Sequence, residues 1–201
     1  YRVCFTDRFQ GEVMAKFTRG ALGVRRAAVL FDEANAYSTG LAAFFMNTFL
    51  GLGGQVVHYE PYPPGETDFS FHVRRLKAAG PQALFLPNFL GDVLLQVEQV
   101  RAIAPELRIV GGDSLSFSNP EHVAKIEGAY FSTHFSPDIP SPEVGEFVSI
   151  YEKHFGIRPA ASAALTYDAF GLLFEAVRLA DSLESGAICE ALSGIRSFSG
   201  V

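Results

Sequence analysis

Tryptophan is absent from the 201 residues, and cysteine and methionine occur only twice each. Cys4 and Cys189 stand almost a whole chain apart, with no C-x-x-C and no zinc-type Cys/His spacing, which excludes a disulfide framework, a dithiol redox motif and a zinc module. A buried cysteine behaves mainly as a small hydrophobe. The expectation is therefore two buried free thiols, with a Cys4–Cys189 bridge as the alternative. Positive charge is also short: 16 Lys and Arg against 22 Asp and Glu give a net charge of -6. With no basic stripe, a nucleic-acid partner is excluded. No run reaches the roughly 18 apolar residues of a membrane-spanning helix, so direct membrane insertion by this segment is not expected. The catalytic signatures are missing as well. There is no G-x-S-x-G, no G-x-x-x-x-G-K-[ST] and no G-x-G-x-x-G placed after a strand. His58, His72, His122, His134 and His154 are scattered, without an i, i+4 pair, so no metal or other cofactor is expected. His72 and His122 read as solvated helix positions, and His134 as the histidine nearest a cleft.

What is present is an alternation of short apolar runs with helical periodicity. Ala27 to Asp32 (AAVLFD), QVVHYEPY, ALFLPNF, RIVGGD and GAYFSTHF have the character of buried strands. Between them YSTGLAAFFMNTFLGLGG, DFSFHVRRLKAAG, DVLLQVEQVRAIA and NPEHVAKI read as helices, with Asp68 the expected N-cap of the second. FQGEVMAKFTRGAL reads as a helix ahead of the first strand. Strands that are apolar throughout, separated by helices, predict an α/β fold: a doubly wound parallel sheet covered on both faces. After Phe135 the character changes. SPDIPSP is followed by three helical segments with no strand between them, which have helices to cover a sheet but no sheet of their own. Both chain ends, YRVCFT and FSGV, are apolar, the expectation for a piece of a longer protein.

Ligands of open α/β sheets bind beyond the carboxyl ends of the strands. Those ends carry Asp32, Glu33, Asn35, Tyr37 and Ser38 after the first run, Asn88, Phe89 and Leu90 after ALFLP, and Asp113 and Ser114 after RIVGG. Pattern alone leaves each residue open. Asp113 is either a turn or N-cap aspartate or a ligand contact, Tyr37 a helix-start residue or a ligand contact, and Phe89 a core residue or part of a cleft wall.

The order of YRVCFTDRFQG, AAVLFDEANAYSTGLAAFF, GETDFSFHVRRLKAAGPQALFLPNF, GGDS, EGAYFSTHFSPD and ALTYDAFGLL resembles the extracellular solute-binding proteins of branched-chain amino-acid ABC transporters, the type I periplasmic binding proteins. The likeness runs over essentially the whole chain. It implies two α/β lobes clamping a ligand between them. Residues 7–135 would be the second lobe. Residues 136–201 would be the hinge return and helices of the first lobe, whose sheet is absent here. It implies an importer's amino-acid-like ligand, branched-chain or otherwise apolar, a membrane permease as partner, and a periplasmic or extracellular location.

Carried over residue by residue, the resemblance implies that Asp113 takes the ligand's α-ammonium, that Tyr37 faces the ligand, and that Phe89 lines the cleft where a Tyr is frequent. Asp7, in FTDRFQG beside the hinge, is a weaker match with a structural alternative. The same fold serves ligand-sensing domains of receptors and LacI-like regulators, and related binders take amides, urea or aromatic acids. The missing catalytic motifs count against an enzyme.

Overall fold

Each apolar run read as a strand is one, and all of them pair in parallel. β1 is Arg26–Asp32, β2 Gln55–Tyr62, β3 Ala83–Leu86, β4 Arg108–Gly111 and β5 Tyr130–Phe131, in the order β2-β1-β3-β4-β5. The computed structural model describes residues 1–115 and 119–201. The chain divides into two compact units, Thr6–Thr133, and Tyr1–Phe5 together with His134–Val201. The sheet lies in the first of these.

Alternation along the strands sorts the side chains into two cores. Ala27, Val29 and Phe31 of β1, Ala83 and Phe85 of β3 and Val110 of β4 join Met14, Leu41, Phe45 and Phe49 on one face. Ala28, Leu30, Leu84, Leu86 and Ile109 point the other way, to Val73, Leu76, Val93, Val97 and Val100. The first face is covered by α1 (Asp7–Lys16) and α2 (Ala36–Gly51), the second by α3 (Ser70–Ala78) and α4 (Leu90–Ile103). Fully burying each Leu or Phe is worth about 1.5–3 kcal/mol, so both faces contribute.

Two local features aim the helices. Thr6 caps α1 by accepting from Phe9 N. Asn35 caps α2 by accepting from the backbone N–H groups of Tyr37 and Ser38. The two helices cross at Gly11, where an added Cβ would lie 2.7 Å from Phe44 Cβ and 3.1 Å from the Leu41 carbonyl oxygen. α1 then ends in a single π-helical turn, Phe17–Ala21. α3 starts at Ser70, one residue later than an Asp68 cap would place it: Phe69 holds the cap position and is buried, while Asp68 Oδ1 accepts from Ser70 N at 3.0 Å. α4 begins at Leu90, two residues ahead of the apolar period. The short α5 (Pro120–Lys125) is capped by Asn119.

The other unit contains α6 (Pro142–Phe155), α7 (Ala161–Ala180) and α8 (Ser185–Gly194), and no strand among the described residues. Its core is small: Phe135, Val144, Phe147, Ala161 and Ala164. Tyr167, Phe170, Leu173, Phe174 and Leu179 of α7 are exposed.

Two further expectations fail. Cys4 and Cys189 are free but exposed. The segments that carry them have no layer to bury them, since α8 contains no buried residue. His72 is not solvated: its Nδ1 lies 2.9 Å from Oε1 of Glu60, a β2 carboxylate only 7% exposed that draws the ring inward.

Candidate ligand-binding site

The sheet order reverses between β1 and β3, and the strand ends on either side of that point are tied together by one buried amide. Asn88 Oδ1 accepts from Asp32 N at 3.0 Å, and its Nδ2 donates to the Leu30 carbonyl at 2.9 Å and to Gln96 Oε1 at 3.0 Å. The Ser114 hydroxyl donates to the Asn88 carbonyl oxygen. The carboxyl ends of β1, β3 and β4 therefore form a cross-linked frame, which is where an open parallel sheet places its ligand crevice.

The Gly-Gly pair before Asp113 serves close approach. Neither glycine has positive φ. A Cβ on Gly111 would lie 2.2 Å from Leu115 Cδ1. One on Gly112 would lie 2.3 Å from Tyr37 Oη and 3.3 Å from Gln10 Nε2. The bare backbone at 112 is what lets two side chains, from α1 and α2, reach the end of β4.

They meet at Asp113, which opens a short 3-10 turn over Asp113–Leu115. The Tyr37 hydroxyl donates to Asp113 Oδ1 at 2.8 Å, and Gln10 Nε2 donates to the same oxygen at 2.8 Å. Gln10 Nε2 also donates to Ser132 Oγ at 2.7 Å. Burial, followed by the charge and hydrogen bond of Asp113, holds the Tyr37 phenol far above its ordinary pKa, against a smaller opposing effect of Ser114.

Phe89 is 54% exposed, so it is not core. Its ring stacks on Tyr37 with centroids 5.3 Å apart and planes 24° apart. Asp113, Tyr37 and Phe89 are brought together. Asp7 is not: it is exposed in the first turn of α1, a position where a negative charge suits the helix N-terminus. His134 belongs to the other unit, where it stacks on Phe5 with centroids 3.6 Å apart.

Gln10 and Ser132 are not among the strand-end candidates of the sequence, and Asn88 is there without a role. For Gln10 a signal existed. Gln10, Met14 and Thr18 recur at i, i+4 and i+8 and all are buried. A polar residue on a buried helical stripe needs a partner.

Chemically the arrangement offers one carboxylate that accepts from two neutral donors, Tyr37 and Gln10. Beside it stands an aromatic wall of Tyr37 and Phe89. It suits a cationic group attached to an apolar one. No group of three or more His, Cys, Asp or Glu suited to a metal ion exists among the described residues.

Comparison with known proteins agrees in kind. Residues 1–201 match the sequence profile of the family described as periplasmic binding protein. A Leu/Ile/Val-binding protein homolog of Brucella melitensis is 32% identical over 116 residues, 58% of this chain and 31% of that protein. The leucine binding protein LivK of Thermotoga maritima superposes with a TM-score of 0.90 at 35% identity, covering 98% of this chain and 57% of its own. The branched-chain amino acid transporter substrate binding protein LivJ of Streptococcus pneumoniae, solved in complex with isoleucine, gives 0.86 at 27% identity, with 98% and 56% covered. The chain spans about half the length of curated relatives that it matches nearly end to end.

Proposed function

This chain belongs to the periplasmic binding protein family, and on that premise we propose that it is part of an ABC importer's amino-acid-binding component. Its role is substrate binding and it is not an enzyme. In the proposed arrangement residues 7–135 are the second lobe. Residues 136–201 return to a first lobe whose sheet packs on the apolar residues exposed along α7. The ligand lies between the lobes, the partner is a membrane permease, and the location is periplasmic or extracellular.

The observation that carries this reading is Asp113. Its carboxylate is held by Tyr37 and Gln10 at the crevice end of the sheet, beside the stack of half-buried Tyr37 on exposed Phe89. Asp113 takes the α-ammonium of an amino acid. A desolvated ammonium needs a well-oriented carboxylate, because otherwise its burial costs more than the pairing returns. Phe89 and Tyr37 cover the aliphatic side chain, and Phe89 brings no hydroxyl that a polar side chain could use. The ligand is leucine, isoleucine or valine. The Leu/Ile/Val-binding protein homolog of Brucella and the Streptococcus protein solved with isoleucine support that choice. A carboxylate at this position repels an aromatic acid, which brings no amine.

Calorimetric titration of the full-length protein with amino acids, their amides and aromatic acids tests the reading. Dissociation constants of about 1 μM or below, near -8 kcal/mol, are expected for branched-chain amino acids. No heat is expected from the deaminated analogue 4-methylpentanoate. Equal binding of leucine and that analogue would remove Asp113 from its role, and binding of aromatic acids alone would replace the ligand class.

A further inference from the structure

We infer that Gln10 is the positioning residue of this site, holding the Asp113 carboxylate and the exit of β5 with one side-chain amide. The inference rests on reading Asp113 as the ammonium acceptor. Gln10 is 1% exposed. One amide proton goes to Asp113 Oδ1, 103 positions away, and the other to Ser132 Oγ, 122 positions away. Both donors of the buried amide are consumed, so its plane is set by two partners at once. Its backbone is equally constrained. Gly11 packs α1 against α2 so closely that an added methyl would sit 2.7 Å from Phe44 Cβ. Tyr37 stands on α2. The two donors to Oδ1 therefore come from helices that are locked together, and neither can drift without the other.

Ser132 gives the amide a second task. It follows directly on β5 (Tyr130–Phe131), and Thr133 is the last residue of its unit. Gln10 itself lies one helical turn after Thr6, the first residue of that stretch. A cation on the Asp113 carboxylate draws electron density from Oδ1 and loosens its bond from Gln10. The other proton of the same amide bonds Ser132, so loading of the site is felt where the chain leaves the unit. Gln10 touches no ligand in this scheme. It acts through Asp113.

The test is a double-mutant cycle in the full-length protein with leucine as probe, using Gln10→Leu, Asp113→Asn and the pair, with thermal unfolding alongside. Gln10→Leu is expected to weaken leucine binding about tenfold in the native background, the scale of one hydrogen bond to a charged group. In the Asp113→Asn background the expected loss is less than about twofold, because the effect travels through that carboxylate. The same loss in both backgrounds overturns the inference. If Gln10→Leu does not fold, Gln10→Met repeats the cycle with an unbranched side chain.

A second readout needs no ligand. The side-chain amide protons of Gln10, observed by 15N–1H correlation, are expected to be protected from water exchange and to shift in both Asp113→Asn and Ser132→Ala. An exchanging amide that neither substitution moves overturns the inference. Should leucine fail to bind the native protein, the amino-acid reading falls, and these resonances decide the role of Gln10 by themselves.

Discussion

The hydroxyl of Tyr37 lies 2.8 Å from Oδ1 of Asp113, although 76 positions separate the two residues. One opens the helix after β1 and the other follows β4. Their meeting turns two ordinary strand-end residues into a single oriented acceptor.

Removing the charge of Asp113 while keeping its shape tests that acceptor directly. Asp113→Asn should lose about 3 kcal/mol or more of amino-acid affinity, the scale for breaking one side of a desolvated ion pair. Titration calorimetry measures it. An unchanged affinity would make Asp113 a turn residue.

Tyr37→Phe keeps the stack on Phe89 and deletes one donor to the carboxylate. The expected loss is about 1.5 kcal/mol of binding, the lower end for hydrogen bonds to charged groups. Because burial and the Asp113 charge raise the pKa of this phenol well above its ordinary 10.0, Tyr37 should stay protonated after solvent-exposed tyrosines have ionised. Tyrosinate absorbance followed through an alkaline titration, native against Tyr37→Phe, checks this: the two curves should coincide up to the ordinary tyrosine range.

Phe89→Ala should separate binding from folding. The ring is 54% exposed, so the stability change should stay within about 0.5 kcal/mol. The affinity for leucine should fall by about 1–2 kcal/mol through lost apolar cover. A large fall in melting temperature would show that the ring supports the fold instead.

Gly112→Ala introduces a methyl 2.3 Å from Tyr37 Oη. Tyr37 or the β4 exit must move, at a cost of about 1–3 kcal/mol for overpacking. Binding should weaken together with stability, whereas Gly145→Ala, inside α6 where a Cβ meets nothing within 4 Å, should leave binding unchanged and raise stability by about 0.5–1 kcal/mol. Denaturant unfolding and calorimetry on the two variants give the comparison.

Away from the site, Glu60 is held by His58, by His72 and, at 2.9 Å, by Arg75. Burial pushes its pKa up. The hydrogen bonds and charges of the two histidines outweigh burial and leave it below the ordinary carboxylate value. A carboxyl whose folded pKa is depressed contributes stability above its unfolded pKa of about 4.3, and that stability is lost as pH falls from there through the folded value. Glu60→Gln should therefore flatten the acid limb of the stability–pH curve and lower stability at neutral pH. Identical acid limbs in the two proteins would remove Glu60 from that account.

The fold was readable in the chain because its signals are local. A run such as AAVLFD has no polar face, so it needs cover on both sides, and helices between such runs make the sheet parallel. The strand ends that line the crevice follow from the same pattern, which is why Tyr37, Phe89 and Asp113 could be named as candidates. The errors also have local causes. Cys4 and Cys189 were expected to be buried because small apolar residues usually are, yet nothing in this chain packs over them. His72 looked solvated on its helix, but Glu60 waits on the neighbouring strand.

The sequence by itself determined the parallel α/β unit, the strand ends and the absence of recognisable catalytic motifs, since each depends on residue type and spacing over a few positions. Only the tertiary structure decided that Gln10 reaches Asp113 while Asp7 stands exposed at the start of the helix. Both lie in the first turn of one helix, and the difference is the direction in which Gly11 lets that helix settle against α2. Gly11, Gly112 and Ser132 are ordinary in sequence. Their meaning comes from close approach between segments far apart in the chain, and no local preference encodes a distance of that kind.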